Sequence, residues 1–226
     1  MNMRYSPSEV EEKGLTIITA HSGCEGTLPN SREHILEAIA SDAEMIEVDV
    51  RRCGELLYLS HDVSEKPEEC VSLDEFLDMM KPHFEMRINF DVKTEELVPL
   101  VMEKVNARNM TKMAVFTGMC NDKKKVIESL GAELWISLWP SSDNESEVVR
   151  GEEMCLSEKL SCINLHYSMI TKENGKRIKD EGLSFSAWTV DDEKEIRRLL
   201  EMKIKNITTR CPRLALELRK EIQGQL

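Results

Sequence analysis

Short runs with alternating or wholly apolar character recur along the chain, separated by stretches of helical periodicity. β-Prone segments fall at 16–20, 45–50, 87–92, 114–117, 134–138, 162–165, 184–189 and 206–209. Between nearly all of them, apolar residues return at three- and four-residue spacing, several behind Ser, Thr or Asp caps. This spacing predicts helices over 31–41, 73–80, 95–107, 122–130, 171–180, 192–202 and 213–222. Eight strands alternating with helices in 226 residues predict an α/β fold, a single (β/α)8 TIM barrel over 15–226 behind an N-terminal extension at 1–14. A further β-rich run at 54–62 opens on Gly54 and reads as a hairpin-like addition after strand two, followed by a Pro67-containing loop.

Two of the strands carry carboxylates on one face. In Met45-Ile46-Glu47-Val48-Asp49-Val50 and Arg87-Ile88-Asn89-Phe90-Asp91-Val92-Lys93, a pleated strand sends the apolar residues one way and Glu47, Asp49 and Asp91 the other. Carboxylates gathered in water-poor surroundings are costly unless a cation compensates them. Three oxygen donors suit a hard divalent ion, magnesium or calcium, better than zinc. A barrel collects functional groups at the carboxyl ends of its strands. His21 closes strand one, His61 ends the hairpin, and Lys93 stands two residues beyond Asp91, so all six side chains can share one rim. Beside a phosphoester, the histidines supply an acid/base pair, and Lys93 balances the carboxylates or reaches the phosphate. Trp188 ends a later strand, where an indole can wall the mouth against substrate. Asn89, Asn164 and His166 share the inward parity of their strands, whereas His34 and His83 read as structural or solvated.

Composition narrows the partners. A net charge of −12 works against nucleic acid and anionic lipid. No run approaches the roughly 18 apolar residues of a membrane span, and residues 1–14 lack the apolar middle of a secretory signal. The expectation is a cytoplasmic protein without stable membrane association. The seven cysteines are scattered, without C-x-x-C spacing, and read as reduced thiols; Lys123, Lys124 and Lys125 read as a solvated helix face.

Six ordered motifs resemble those of the glycerophosphodiester phosphodiesterases: His21-Ser22-Gly23, Leu28-Pro29-Asn30-Ser31, Glu47-Val48-Asp49, His61-Asp62, Asp91-Val92-Lys93 and Trp188-Thr189-Val190. The resemblance runs from Thr16 to Pro212. It implies a β/α barrel with a divalent metal on Glu47, Asp49 and Asp91, and His21 and His61 as acid and base. The implied enzyme is a phosphoric diester hydrolase of lipid and glycerol metabolism, cleaving small glycerophosphodiesters to glycerol 3-phosphate and an alcohol. The chain departs from that pattern in places. Ser22 stands where the family has arginine, and Asp91 where it commonly has glutamate, an aspartate there resembling the related sphingomyelinase D-like phospholipases. The connection from His61 to Asp91 is short, and Thr209-Arg210-Cys211-Pro212 replaces a Thr-Asp before proline. Two other readings are a phospholipase D-like transphosphatidylase releasing a cyclic phosphate, and a non-catalytic barrel binding a phosphorylated metabolite.

Overall fold

The computed structural model describes residues 5–224. A short helix α1 (Pro7–Glu12) leads into β1 (Ile17–Ala20) and α2 (Arg32–Ala40). Strand β2 (Met45–Cys53) turns back through the antiparallel β3 (Leu56–Leu59) before α3 (Leu73–Met80). Then come β4 (Arg87–Val92) with α4 (Leu97–Ala107), and β5 (Ala114–Gly118) with α5 (Lys124–Ser129). The fifth position is split into β6 (Glu133–Leu134) and β7 (Ile136–Leu138), followed by α6 (Asn144–Glu158). The chain closes with β8 (Cys162–His166) and α7 (Lys172–Asp180), β9 (Ser184–Trp188) and α8 (Glu193–Glu201), and β10 (Asn206–Thr209) and α9 (Pro212–Gln223). Every strand pairing in the ring is parallel, in the order β6-β5-β4-β2-β1-β10-β9-β8-β7. This is the expected β/α barrel, with β3 hanging on the outside of β2.

Two expectations are corrected. The segment 134–138 is interrupted at Trp135, whose buried indole donates to Glu133 Oε2 at 3.1 Å and whose amide still donates to Phe116 O at 3.0 Å. A large side chain turned into the foot of the barrel divides the strand there. The hydrophobic pattern also gives no helix between that segment and 162–165, yet α6 fills this stretch. It buries only Val148, Gly151, Glu152 and Cys155, a face too poor in large apolar residues to announce itself.

Side chains inside the barrel are layered. Val10 of α1 joins Ile17, Met45, Val115, Trp135 and Cys162 in an apolar plug at the foot. Arg87 pairs with Glu133 beside it at 3.0 Å, a structural role at the amino end of β4. Above the plug the interior is polar and cross-linked: Thr19 donates to Asn206 at 2.6 Å, Thr117 to Asn89 at 2.9 Å and Asn206 to Ser186 at 2.9 Å. Ile46, Val48, Val50, Ile88, Phe90 and Val92 point outward into the larger core beneath the helices. The inner stripe is thereby left to carboxylates. At the foot of that outer layer, buried Arg219 of α9 donates to both oxygens of buried Glu44 (2.7 and 3.0 Å) and to Thr16 O, fastening the last helix across the first two strands.

Candidate active site

The register of the strands sets the carboxylates at two heights. Asp49 pairs with Asp91 across β2 and β4, and Glu47 pairs with Asn89 one layer lower. The three side chains nevertheless offer oxygens lying within 4.8 Å of one another. Lys93 bridges the upper pair, its Nζ 2.5 Å from Asp49 Oδ1 and 2.8 Å from Asp91 Oδ2. Asn30, in a left-handed conformation (φ 56°) in the loop before α2, donates to Asp49 Oδ2 at 2.7 Å and accepts from the Asp49 amide at 3.0 Å. The Ser22 amide donates to Glu47 Oε2 at 3.0 Å. The β1 loop thus braces both carboxylates of β2 from above.

These contacts act on charge. Burial, reinforced by Asp49 and Asp91, pushes the Glu47 carboxyl well above the ordinary range despite the Ser22 amide and Lys93. Burial raises Asp91 as well, against the pull of Lys93. For Asp49 burial is outweighed by Lys93 and Asn30, which together hold it below its usual value. Burial would lower the Lys93 ammonium, but Asp91 and Asp49 prevail and raise it. Even with Lys93 in place, Glu47 and Asp91 resist ionising side by side. A set of hard oxygen donors short of positive charge fits a divalent cation.

The histidines flank this group. His21 follows β1, its amide bound to Thr209 O of β10 at 2.8 Å. Its Nδ1 donates to Ser22 O at 2.9 Å; a carbonyl only accepts, so the neutral ring keeps its lone pair on Nε2, 3.9 Å from Glu47 Oε2. Burial, and then Arg210, depress the His21 pKa. His61 follows β3, largely exposed, with Nδ1 3.1 Å from Asp62 Oδ1; Arg51 donates to its carbonyl at 2.6 and 2.8 Å.

One cavity of about 120 Å³ is lined by His21, Glu47, His61, Asp91, Lys93 and Trp188. Six of the seven sequence-predicted site residues therefore line one space, and the seventh, Asp49, is fixed beside Lys93. Asn89 and Asn164 also line it, and His166 meets Trp188 edge to face at a ring separation of 5.2 Å. Three contributors escaped the sequence reading. Asn30 stands in a quoted motif, but its grip on Asp49 depends on a loop conformation. Ser137 lines the cavity and accepts from the Gly118 amide at 2.9 Å; it shares the inward parity of Trp135, which was the available signal. Trp139, partly exposed just beyond β7, lines both this cavity and a neighbouring one. An aromatic residue past a strand's carboxyl end was the available signal. His34 is fully buried in α2, and His83 lies 3.7 Å from Glu85.

Gly118 ends β5 at φ +84°, where a Cβ would lie 2.0 Å from Asp91 Oδ1 and 2.6 Å from Val92 O. Gly118→Ala is expected to displace Asp91 and to lower stability by at least ~1–2 kcal/mol from backbone strain alone, measured by urea unfolding. An unchanged midpoint would mean that neither the φ angle nor the close approach constrains this turn.

An eight-position β/α barrel with histidine, lysine and carboxylate groups converging at the strands' carboxyl ends defines a class of architecture. No protein-family model and no curated protein matches the sequence. Solved structures do match. A glycerophosphodiester phosphodiesterase from Parabacteroides distasonis superimposes with a TM-score of 0.77 at 20% identity, over 93% of this chain and 98% of that one. One from Agrobacterium tumefaciens gives 0.71 at 16% identity over 91% and 100%. A phosphodiesterase from Oleispira antarctica, solved with its product sn-glycerol-3-phosphate, gives 0.69 at 16% identity over 90% and 96%. The chain shares the fold of these enzymes over nearly its whole length. Among the described residues, no helix is long and apolar enough to cross a membrane.

Proposed function

We propose that the protein is a metal-dependent phosphodiesterase that hydrolyses glycerophosphodiesters to glycerol 3-phosphate and an alcohol. The observation that carries this reading is the convergence of His21, His61, Glu47, Asp91 and Lys93 on one cavity at the strands' carboxyl ends, with Asp49 tied in through Lys93. The likeness to glycerophosphodiester phosphodiesterases, one of them holding sn-glycerol-3-phosphate, supports the substrate class.

Glu47, Asp49 and Asp91 would hold the divalent ion, magnesium or calcium, which when bound supplies an anchor for phosphate oxygens and neutralises their charge. Lys93 keeps Asp49 and Asp91 together and adds a positive charge near the phosphate. His21, with its proton fixed on Nδ1, takes the proton of the attacking oxygen on Nε2 as the new phosphorus–oxygen bond forms. His61, at the open side of the cavity, protonates the departing alkoxide as the old bond breaks. Trp188 walls the cavity against the organic part of the substrate. Seven free cysteines suit a reducing compartment, and we place the reaction in the cytoplasm.

The test is hydrolysis of glycerophosphocholine and glycerophosphoethanolamine followed by phosphorus NMR. Turnover that requires added magnesium or calcium, stops with chelator and yields glycerol 3-phosphate is the expected result, and Glu47→Gln should raise the metal concentration needed. Full activity in chelator would exclude the metal, a product ending at a cyclic phosphate would exclude hydrolysis, and no turnover under any condition would refute the assignment.

A further inference from the structure

Charge at the mouth is not balanced by the groups already described. By formal charge, a phosphodiester anion added to three carboxylates exceeds a divalent ion plus Lys93 by one negative charge. Lys93 is moreover committed to Asp49 and Asp91. A further cation facing the same opening would complete the site.

Strand β10 supplies one. Asn206 and Thr208 point into the barrel: Asn206 bonds Thr19 and Ser186, and Thr208 lines the catalytic cavity. Arg210 directly follows β10, at the carboxyl rim and one residue past Thr209. Its backbone is clamped beside His21, since β1 and β10 pair at Ala20 and Thr209, the His21 amide bonds Thr209 O, and the Glu25 amide bonds Arg210 O at 2.7 Å. Asp191, just past β9, accepts from the Arg210 amide at 2.7 Å and from Nη1 at 2.8 Å. Among the described residues this is the guanidinium's one partner, and the side chain is 48% exposed. Its remaining N–H groups are available at the rim.

We propose that Arg210, just past the end of β10 and next to His21, grips the non-bridging oxygens of the substrate phosphate. This rests on the phosphodiesterase reading. Guanidinium suits the role because its planar fork can meet two phosphate oxygens while another N–H stays on Asp191. The competing role is a purely structural Arg210–Asp191 ion pair, and the two roles separate cleanly. Removing either partner breaks an ion pair, but only removing the arginine loses an anion grip.

The experiment compares the full-length wild type with Arg210→Gln, Arg210→Lys and Asp191→Asn. It uses calorimetric titration with sn-glycerol-3-phosphate, steady-state kinetics and thermal unfolding. Glutamine retains a donor for Asp191, so the fold should tolerate it. Arg210→Gln should weaken product binding and raise KM by roughly 10- to 100-fold, the range for a charge-assisted bond. Arg210→Lys should recover part of the loss, and Asp191→Asn should bind the product as well as wild type or more tightly because the guanidinium is released. Equal losses in Arg210→Gln and Asp191→Asn, or wild-type binding in Arg210→Gln, would overturn the proposal while leaving an active enzyme's assignment intact. An inert wild type that still binds sn-glycerol-3-phosphate through Arg210 would instead overturn the phosphodiesterase reading and keep the phosphate grip. Failure of the wild type to bind it at all would overturn both.

Discussion

Replacing His21 by alanine is expected to lower kcat/KM for a glycerophosphodiester by roughly 10²- to 10⁴-fold, the usual worth of a positioned acid or base, with little change in unfolding. The reason is positional. The side chain sits at the rim above the polar layer, and the backbone contacts that tie β1 to β10 and Ser22 to Glu47 do not pass through the imidazole. His61→Ala separates the two roles. If His61 serves the departing alkoxide, a p-nitrophenyl ester, whose leaving group needs no proton, should recover most of the activity lost in His61→Ala and little of that lost in His21→Ala. Equal recovery in both variants would remove the assignment of base to His21 and acid to His61.

The barrel was legible because its two periods are written separately. Strands β4 and β10 have the bounds expected from alternation, whereas β2 runs on to Cys53 because β3 supplies partners for Arg51, Arg52 and Cys53. Where burial does not produce apolar periodicity, the pattern is silent. Gly151 of α6 is small because Leu138 lies against it, with a Cβ at that position falling 2.5 Å from Leu138 Cδ1, so close packing there removed the very side chain a periodicity search needs.

The site follows the same division. Glu47, Asp49, Asp91 and Lys93 could be brought together on paper because strand parity and a closed sheet determine where they point. The pairing of Asp91 with Asp49 rather than with Glu47 follows from strand register, and the bridging ammonium from a rotamer, neither of which a single sequence states. Ser22 stands where the resembling family has arginine. In the folded chain its amide donates to Glu47, and Arg210, which follows the neighbouring strand β10, comes beside His21 from nearly the full length of the chain away.

His34→Leu is expected to make the protein more stable in acid, with the gain growing as pH falls from about 6.5 to about 4. His34 is completely buried, and among the described residues neither ring nitrogen has a hydrogen-bond partner. Burial therefore pushes its pKa down to about 4, with His21 adding to the effect and Asp49 opposing it. Because the folded value lies below the unfolded value of 6.5, the unfolded chain binds the extra proton between the two. The neutral imidazole's contribution is full above pH 6.5 and is lost as pH falls toward 4. The gap of 2.5 corresponds to about 3 kcal/mol, an order-of-magnitude figure. Leucine removes both the protonation and the unpaired nitrogens. Urea unfolding of the two proteins at pH 7.5, 5.5 and 4.5 isolates this residue, because the carboxylates titrating in the same range are common to both and cancel in the difference. A difference that stays constant across those three values would show that His34 is protonated, or hydrogen-bonded, within the folded protein.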